Sequence, residues 1–106
     1  MVMIGGFIIS GDYPAKVLLR AIGSSLPVDG ALQDPTLELV DSQGNTISND
    51  NWRATQEAEI TAIGLIPSDE RESALVTTLV PGAYTAIVRG KDGITGIALV
   101  EGYNLQ

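Results

Sequence analysis

The 106-residue chain contains no cysteine and no histidine. Without cysteine it can form neither disulfides nor a thiol nucleophile, and without histidine it lacks a Ser-His-Asp triad and the usual zinc ligands. Phosphate-binding, dinucleotide-binding and nucleophile-elbow motifs are absent as well. We therefore predict a protein that is not an enzyme. Its 13 acidic residues leave one catalytic alternative open, a small hydrolase that uses a carboxylate pair.

Basic residues are also few, with six Lys and Arg against 13 Asp and Glu and a net charge of -7. Such a chain repels phosphate backbones and anionic lipid surfaces, so we expect neither nucleic acid nor a membrane as its partner. No apolar run is long enough to span a bilayer. The apolar start, Met1 to Ile9, has no basic leader or cleavage site and is predicted to be a strand rather than a signal peptide.

The pattern of short apolar segments separated by turn signals predicts the fold class. Only 5% of the residues are aromatic, and the apolar content is mostly aliphatic. The spacing is typical of an all-β protein, and we predict one domain over residues 1–106, an antiparallel, jelly-roll-like β-sandwich of about eight strands. The predicted strands cover residues 3–10, 15–22, 36–41, 46–48, 72–79, 83–89 and 94–103.

Two local predictions go with this pattern. Residues 55–63 favour one or two helical turns ended by Gly64, although a strand over 60–63 is an alternative. The clearest hairpin is predicted to join 83–89 to 94–103 through Gly90-Lys91-Asp92-Gly93, a turn with two glycines.

Several segments, taken in order, resemble a known kind of module. They are Gly5-Gly6-Phe7-Ile8-Ile9, the strand around Val17-Leu18-Leu19-Arg20, Asp34-Pro35-Thr36-Leu37, Ser48-Asn49-Asp50-Asn51-Trp52, Glu70-Arg71-Glu72 and Pro81-Gly82-Ala83-Tyr84. The series resembles C-terminal β-sandwich domains of large secreted or surface proteins of Verrucomicrobia and Acidobacteria. Its layout is also similar to the bacterial pre-peptidase C-terminal domain. The resemblance implies an extracellular or cell-surface location and a non-catalytic role in structure, adhesion or assembly.

Asp and Asn residues cluster on both sides of a predicted short strand. Calcium takes six to eight oxygen ligands from carboxylates, amides and carbonyls. Such oxygens are offered by Asp41, Asn45, Asn49, Asp50 and Asn51. The alternative is that these residues only form turns, for which Asn, Asp and Gly are well suited. The spacing is not that of an EF-hand.

Trp52, the single tryptophan, follows that cluster directly. It could stack on a sugar ring, which would make the chain a carbohydrate-binding accessory module, with or without calcium. The alternative is a core residue whose indole N–H finds a partner.

Arg20 lies within a predicted apolar strand. If its face is buried it needs a carboxylate, and the candidates for a structural ion pair are Glu38 and Glu72.

Self-association is a further prediction. Neither the first strand nor residues 94–100 carry a charged side chain, whereas soluble proteins normally protect the edge strands of their sheets. A bare edge strand could pair with another copy of the chain or with a neighbouring domain. The alternative is that both strands are central and already paired on both sides.

Overall fold

The computed structural model describes residues 2–105. Met1 and Gln106, the two ends of the predicted 1–106 domain, lie outside the described residues. Two antiparallel sheets form a sandwich, which confirms the predicted fold class, with seven strands in this range instead of about eight. No helix within these residues has the length and apolar character needed to cross a membrane.

The elements follow one another in a simple order. They are β1 (Val2–Ile9), β2 (Ala15–Ile22), β3 (Pro35–Asp41), β4 (Thr46–Asn49), α1 (Glu57–Ile63), β5 (Ser73–Leu79), β6 (Gly82–Gly90), a 3-10 turn (Lys91–Gly93) and β7 (Leu99–Asn104). The four-stranded sheet has the order β1-β6-β3-β4, and the three-stranded sheet has the order β5-β2-β7. Each sheet therefore has two edge strands, β1 and β4 in the first and β5 and β7 in the second.

The main core lies between the two sheets. Alternate residues of the four-stranded sheet point inward, among them Leu37, Leu39 and Val88, and they meet Leu19 and Leu75 of the three-stranded sheet. This alternation is the period of two that strands impose on their side chains. It explains why the sequence pattern identified the strands.

A second apolar cluster covers the outer face of the three-stranded sheet. It joins Leu18, Ala74 and Val76 of the sheet to Ile60 of α1 and to Trp52. Because β2 is covered on both faces, its residues are buried almost continuously instead of alternating.

The helix α1 confirms the predicted helical turns. It ends at Gly64, whose φ of 85° is left-handed and whose N–H bonds the carbonyls of Ile60 and Thr61. Glycine adopts this conformation without the penalty that a Cβ atom brings. The alternative of a strand over 60–63 is wrong, because Ile60 is buried against the sheet as part of a helix.

The predicted hairpin between residues 83–89 and 94–103 is wrong. Strand β6 pairs with β1 on one side and β3 on the other, so both of its edges are occupied, and β7 pairs with β2 in the opposite sheet. The 3-10 turn carries the chain between the sheets. A Cβ atom on Gly90 would lie 2.0 Å from the carbonyl oxygen of Ile94, so the turn is too tight for a side chain there.

Candidate functional site

The Asp41–Asn45 turn uses its polar groups internally. The Asp41 carboxylate accepts hydrogen bonds from the N–H groups of Gln43 and Asn45, both at 2.9 Å, and from the Asn45 amide at 3.0 Å. The side-chain bond from Asn45, with the backbone bonds, lowers the pKa of Asp41. This is the turn chemistry offered above as the alternative to calcium.

Asn49 is buried and structural. Its Oδ1 accepts the N–H of Ala74 at 3.0 Å, and its Nδ2 donates to the carbonyl of Asn51 and to Thr55 Oγ1. Those bonds connect the end of β4 with the start of β5.

The five predicted calcium ligands do not come together. Val40 of β3 is opposite Thr46 of β4, and Leu37 is opposite Asn49. Asp41 therefore lies beside the first residue of β4, whereas Asn49 is its last residue. Four residues of strand separate them by about 13 Å. A single site built from Asp41, Asn45, Asn49, Asp50 and Asn51 is therefore wrong. Within residues 2–105 there is also no group of three or more His, Cys, Asp or Glu side chains able to hold a metal ion.

Two carboxylates, Asp34 and Asp50, meet beside Lys91. The Lys91 ammonium lies 2.6 Å from Asp50 Oδ2, and the Lys91 N–H donates to the Asp34 carbonyl at 2.8 Å. Burial, followed by the charge and hydrogen bond of Asp50, raises the pKa of Asp34. The hydrolase alternative needs such a carboxylate pair. Lys91 forms an ion pair with Asp50 and a backbone hydrogen bond with Asp34. We therefore interpret the three residues as a structural contact that connects the start of β3, the loop after β4 and the turn after β6.

Trp52 is a core residue. Only 3% of it is exposed, and it packs against Leu18, Ile60 and Val76. The Arg53 guanidinium lies 4.5 Å from the centre of its ring. Stacking on a sugar requires an open ring face, so the prediction of Trp52 as a ligand-binding residue is wrong.

Arg20 is in an ion pair, but not with the predicted partners. It lies opposite Glu101 of β7, and its Nε and Nη2 donate to Glu101 Oε1 at 2.9 and 2.5 Å. Its Nη1 donates to the carbonyls of Leu65 and Ile66, and its guanidinium lies over the ring of Tyr103. Glu101 was missed because the predicted hairpin placed its strand in the wrong sheet.

The two predicted partners of Arg20 have other roles. Glu38 lies on the outer face of the four-stranded sheet, where Arg89 Nη1 is 3.2 Å from its Oε1. Glu72 is fully buried and accepts hydrogen bonds from the loop after β2 through Gly23 and Ser25. The predicted ion pairs Arg20–Glu38 and Arg20–Glu72 are therefore wrong.

The edge of β5 is covered by side-chain amides. Gln56 Oε1 accepts the N–H of Val76 and Gln56 Nε2 donates to its carbonyl, both at 2.9 Å, as a neighbouring strand would. Asn49 Oδ1 likewise accepts a hydrogen bond from the N–H of Ala74. These amides occupy backbone groups of Ala74 and Val76 that another strand would need, and no motif in the sequence predicts either contact.

The edges β4 and β7 are protected by other means. Strand β4 has only four residues. Strand β7 carries Glu101 in its middle, held by Arg20. Short length and charge are both common protections of sheet edges.

Strand β1 has none of these protections. It runs for eight residues and carries no charged side chain, and among residues 2–105 its only partner strand is β6. The alternative that the uncharged first strand is central is therefore wrong. The predicted second uncharged strand begins only at Leu99, so most of residues 94–100 lie outside any strand.

The backbone pattern shows which groups of β1 face the free edge. The N–H of Asp41 bonds the carbonyl of Asn45, so odd-numbered residues of β3 bond β4 and even-numbered ones bond β6. The same alternation across β6 makes the odd-numbered residues of β1 bond β6. The even-numbered residues direct their N–H and C=O groups away from the sheet. They are Val2, Ile4, Gly6 and Ile8.

Side chains of β1 are exposed along the same free edge. On the outer face Ile4 is 64% exposed and Ile8 is 75% exposed. On the inner face Phe7 is half-buried, stacked on Tyr84 with ring centres 5.6 Å apart. Phe7 also lines an apolar cleft of about 440 Å³ between β1 and β7. The free edge of β1, defined as the outward backbone groups and exposed side chains of Val2–Ile9, is the candidate site.

No family model matches the chain, no curated protein is significantly similar to it in sequence, and no solved structure is significantly similar to it in fold. The resemblance to bacterial surface domains therefore stays a prediction.

Proposed function

We propose that this chain is a non-catalytic assembly module that binds another β-strand along the free edge of β1. The observation that carries the proposal is the contrast between edges. Strands β4, β5 and β7 are protected by short length, side-chain amides or charge, whereas β1 is long, uncharged and open. Binding by strand addition uses such an edge, because backbone hydrogen bonds supply affinity and the alternating side chains supply specificity.

The charge distribution also supports an apolar contact at this edge. The whole chain carries -7, yet none of that charge lies on β1. The acidic remainder keeps the protein soluble and limits non-specific association. The uncharged strand is the segment that a second strand can approach without electrostatic repulsion from its own side chains.

A structural or assembly role agrees with the expectation drawn from the resemblance to surface-protein domains. The extracellular or cell-surface location stays a prediction from that resemblance. The carbohydrate-binding alternative loses its basis, since Trp52 is buried in the core.

A lysine on the strand tests the proposal. We expect Ile4→Lys to weaken association roughly tenfold, because an ammonium in an apolar cross-strand contact costs on the order of 1–2 kcal/mol. Light scattering coupled to size exclusion, over a range of protein concentrations, measures this change.

Val80→Lys is the matched control. Val80 is 62% exposed, close to Ile4 at 64%, but it lies in the turn between β5 and β6. The Val80→Lys variant introduces the same charge away from the free edge of β1, so it should leave association unchanged. Equal effects from the two lysines, or a wild-type protein that stays monomeric at high concentration, would contradict the proposal.

A further inference from the structure

We propose that the strand bound at this edge is β1 of a second copy, paired antiparallel so that Gly6 lies opposite Gly6 of the other copy, with a two-fold axis midway between them. The inference rests on the proposed function and identifies its partner and register. The result is one continuous sheet across the dimer, in which the two β1 strands lie side by side between the two copies of β6.

The faces of the sheet restrict the register. A two-fold axis normal to the sheet keeps the outer face of one copy on the outer face of the other. Residues opposite each other must then lie on the same face, and since faces alternate along a strand, one residue must lie opposite its own copy, with the axis midway between the two. Gly5 and Gly6 are the two residues nearest the middle of Val2–Ile9.

The side chains favour Gly6. In that register Ile4 of each copy lies opposite Ile8 of the other, so the two most exposed side chains of the strand cover each other. On the inner face Phe7 lies opposite Gly5, and an aromatic ring above a cross-strand glycine is a known stabilising arrangement. Pairing Gly5 opposite Gly5 would instead place Ile4 opposite Gly6 and leave the Ile4 side chain without a cross-strand partner.

The backbone is compatible with this register, as it is with Gly5 opposite Gly5, because both registers set even-numbered residues opposite even-numbered ones. Ile4, Gly6 and Ile8 are three of the four residues whose N–H and C=O groups point to the free edge. Pairing about Gly6 sets these groups against one another, so each opposed pair exchanges both hydrogen bonds. The contact uses the same surface on both copies and is closed. At the outer edges of the joined sheet only the four-residue β4 remains, so growth beyond a dimer is not expected.

The chain has no cysteine, so introduced thiols report this register directly. Opposed residues of antiparallel strands have Cα atoms about 4.5–5.5 Å apart, within the range that a disulfide spans. A Cβ atom on Gly6 would lie 3.9 Å from the Tyr84 carbonyl oxygen, an ordinary contact that should not disturb the fold. Gly6→Cys should therefore form a disulfide-linked dimer under a mild oxidant.

A mixture of two variants gives a second reading. Ile4→Cys and Ile8→Cys should crosslink when the two variants are mixed, and several-fold less when either is oxidised alone. In this register Ile4 of one copy lies opposite Ile8 of the other, whereas the two Ile4 residues are far apart, as are the two Ile8 residues. Val80→Cys, which is about as exposed as Ile4 but lies off the strand, is the control for random collision. Non-reducing gels measure the linked fraction, and light scattering on the untreated protein measures the dimer independently.

The outcomes separate the register from the function. A dimer in solution that crosslinks through Gly5→Cys rather than Gly6→Cys overturns the register and leaves strand addition standing. A dimer in which none of the β1 thiols links more than Val80→Cys overturns both. A protein that is monomeric at every concentration overturns the proposed function itself.

Discussion

Replacement of Glu72 by alanine is expected to lower the free energy of unfolding by about 3 kcal/mol or more. Glu72 Oε2 accepts the N–H groups of Gly23 and Ser25 at 2.8 and 3.0 Å and the Ser25 hydroxyl at 2.6 Å. Its Oε1 accepts the N–H of Asp69 at 3.1 Å. The Gly23 N–H is buried, and leaving it without a partner costs roughly 1–3 kcal/mol. Alanine also removes the acceptor of the three part-buried donors of Ser25 and Asp69.

Urea unfolding followed by circular dichroism measures this loss. Glu38→Ala is the matched control, since it removes a glutamate whose ion pair with Arg89 lies on the surface. Exposed pairs contribute about 0–1 kcal/mol, so the control should be nearly as stable as the wild type. If both variants lost the same stability, Glu72 would not organise the loop after β2.

Replacement of Trp52 by alanine is expected to cost about 3–5 kcal/mol, the usual effect of removing a large aromatic side chain from a core. Trp52 is 3% exposed and fills the space between α1 and the outer face of the three-stranded sheet. Its loss leaves a cavity that Leu18, Ile60 and Val76 cannot fill without movement. Thermal or urea unfolding measures the change.

Tyr13→Ala separates a core role from a general effect of aromatic residues. Tyr13 is 80% exposed, so its removal should change the stability by less than about 0.5 kcal/mol. A Trp52→Ala variant as stable as Tyr13→Ala would mean that the indole is not part of the core, and the sugar-stacking alternative would regain its basis.

Local features of this fold could be predicted from the sequence. The alternation of apolar residues along β3 and β6 identified them as strands, because the pleat places every second side chain in the core. The helix near Ile60 could also be predicted, because Gly64 marks its end: glycine adopts the left-handed conformation that ends many helices.

Long-range relations could not be predicted in the same way. The sequence predicts that the strand after Gly93 pairs with β6, because hairpins join consecutive strands, yet β6 has β1 and β3 as its partners. Without the pairing of β7 with β2, Glu101 could not be assigned to Arg20. Nothing in a single sequence states which strands become neighbours once the sheets are formed.

One part of the candidate site could be predicted from the sequence and another could not. The absence of charge on β1 was visible in the sequence, but it left open whether this strand is an unprotected edge or a central strand. The protection of the other edges was not visible, because it depends on contacts such as Gln56 with Val76, which lie 20 positions apart and belong to no motif.

Amide hydrogen exchange of the wild-type protein, measured at several concentrations, tests the central claim most directly. The N–H groups of Ile4, Gly6 and Ile8 face the free edge, whereas those of Gly5 and Phe7 are bonded to β6. If β1 binds another strand, exchange at Ile4, Gly6 and Ile8 should slow as the concentration rises, while Gly5 and Phe7 stay slow throughout. Fast exchange at those three residues at the highest concentration would contradict the account.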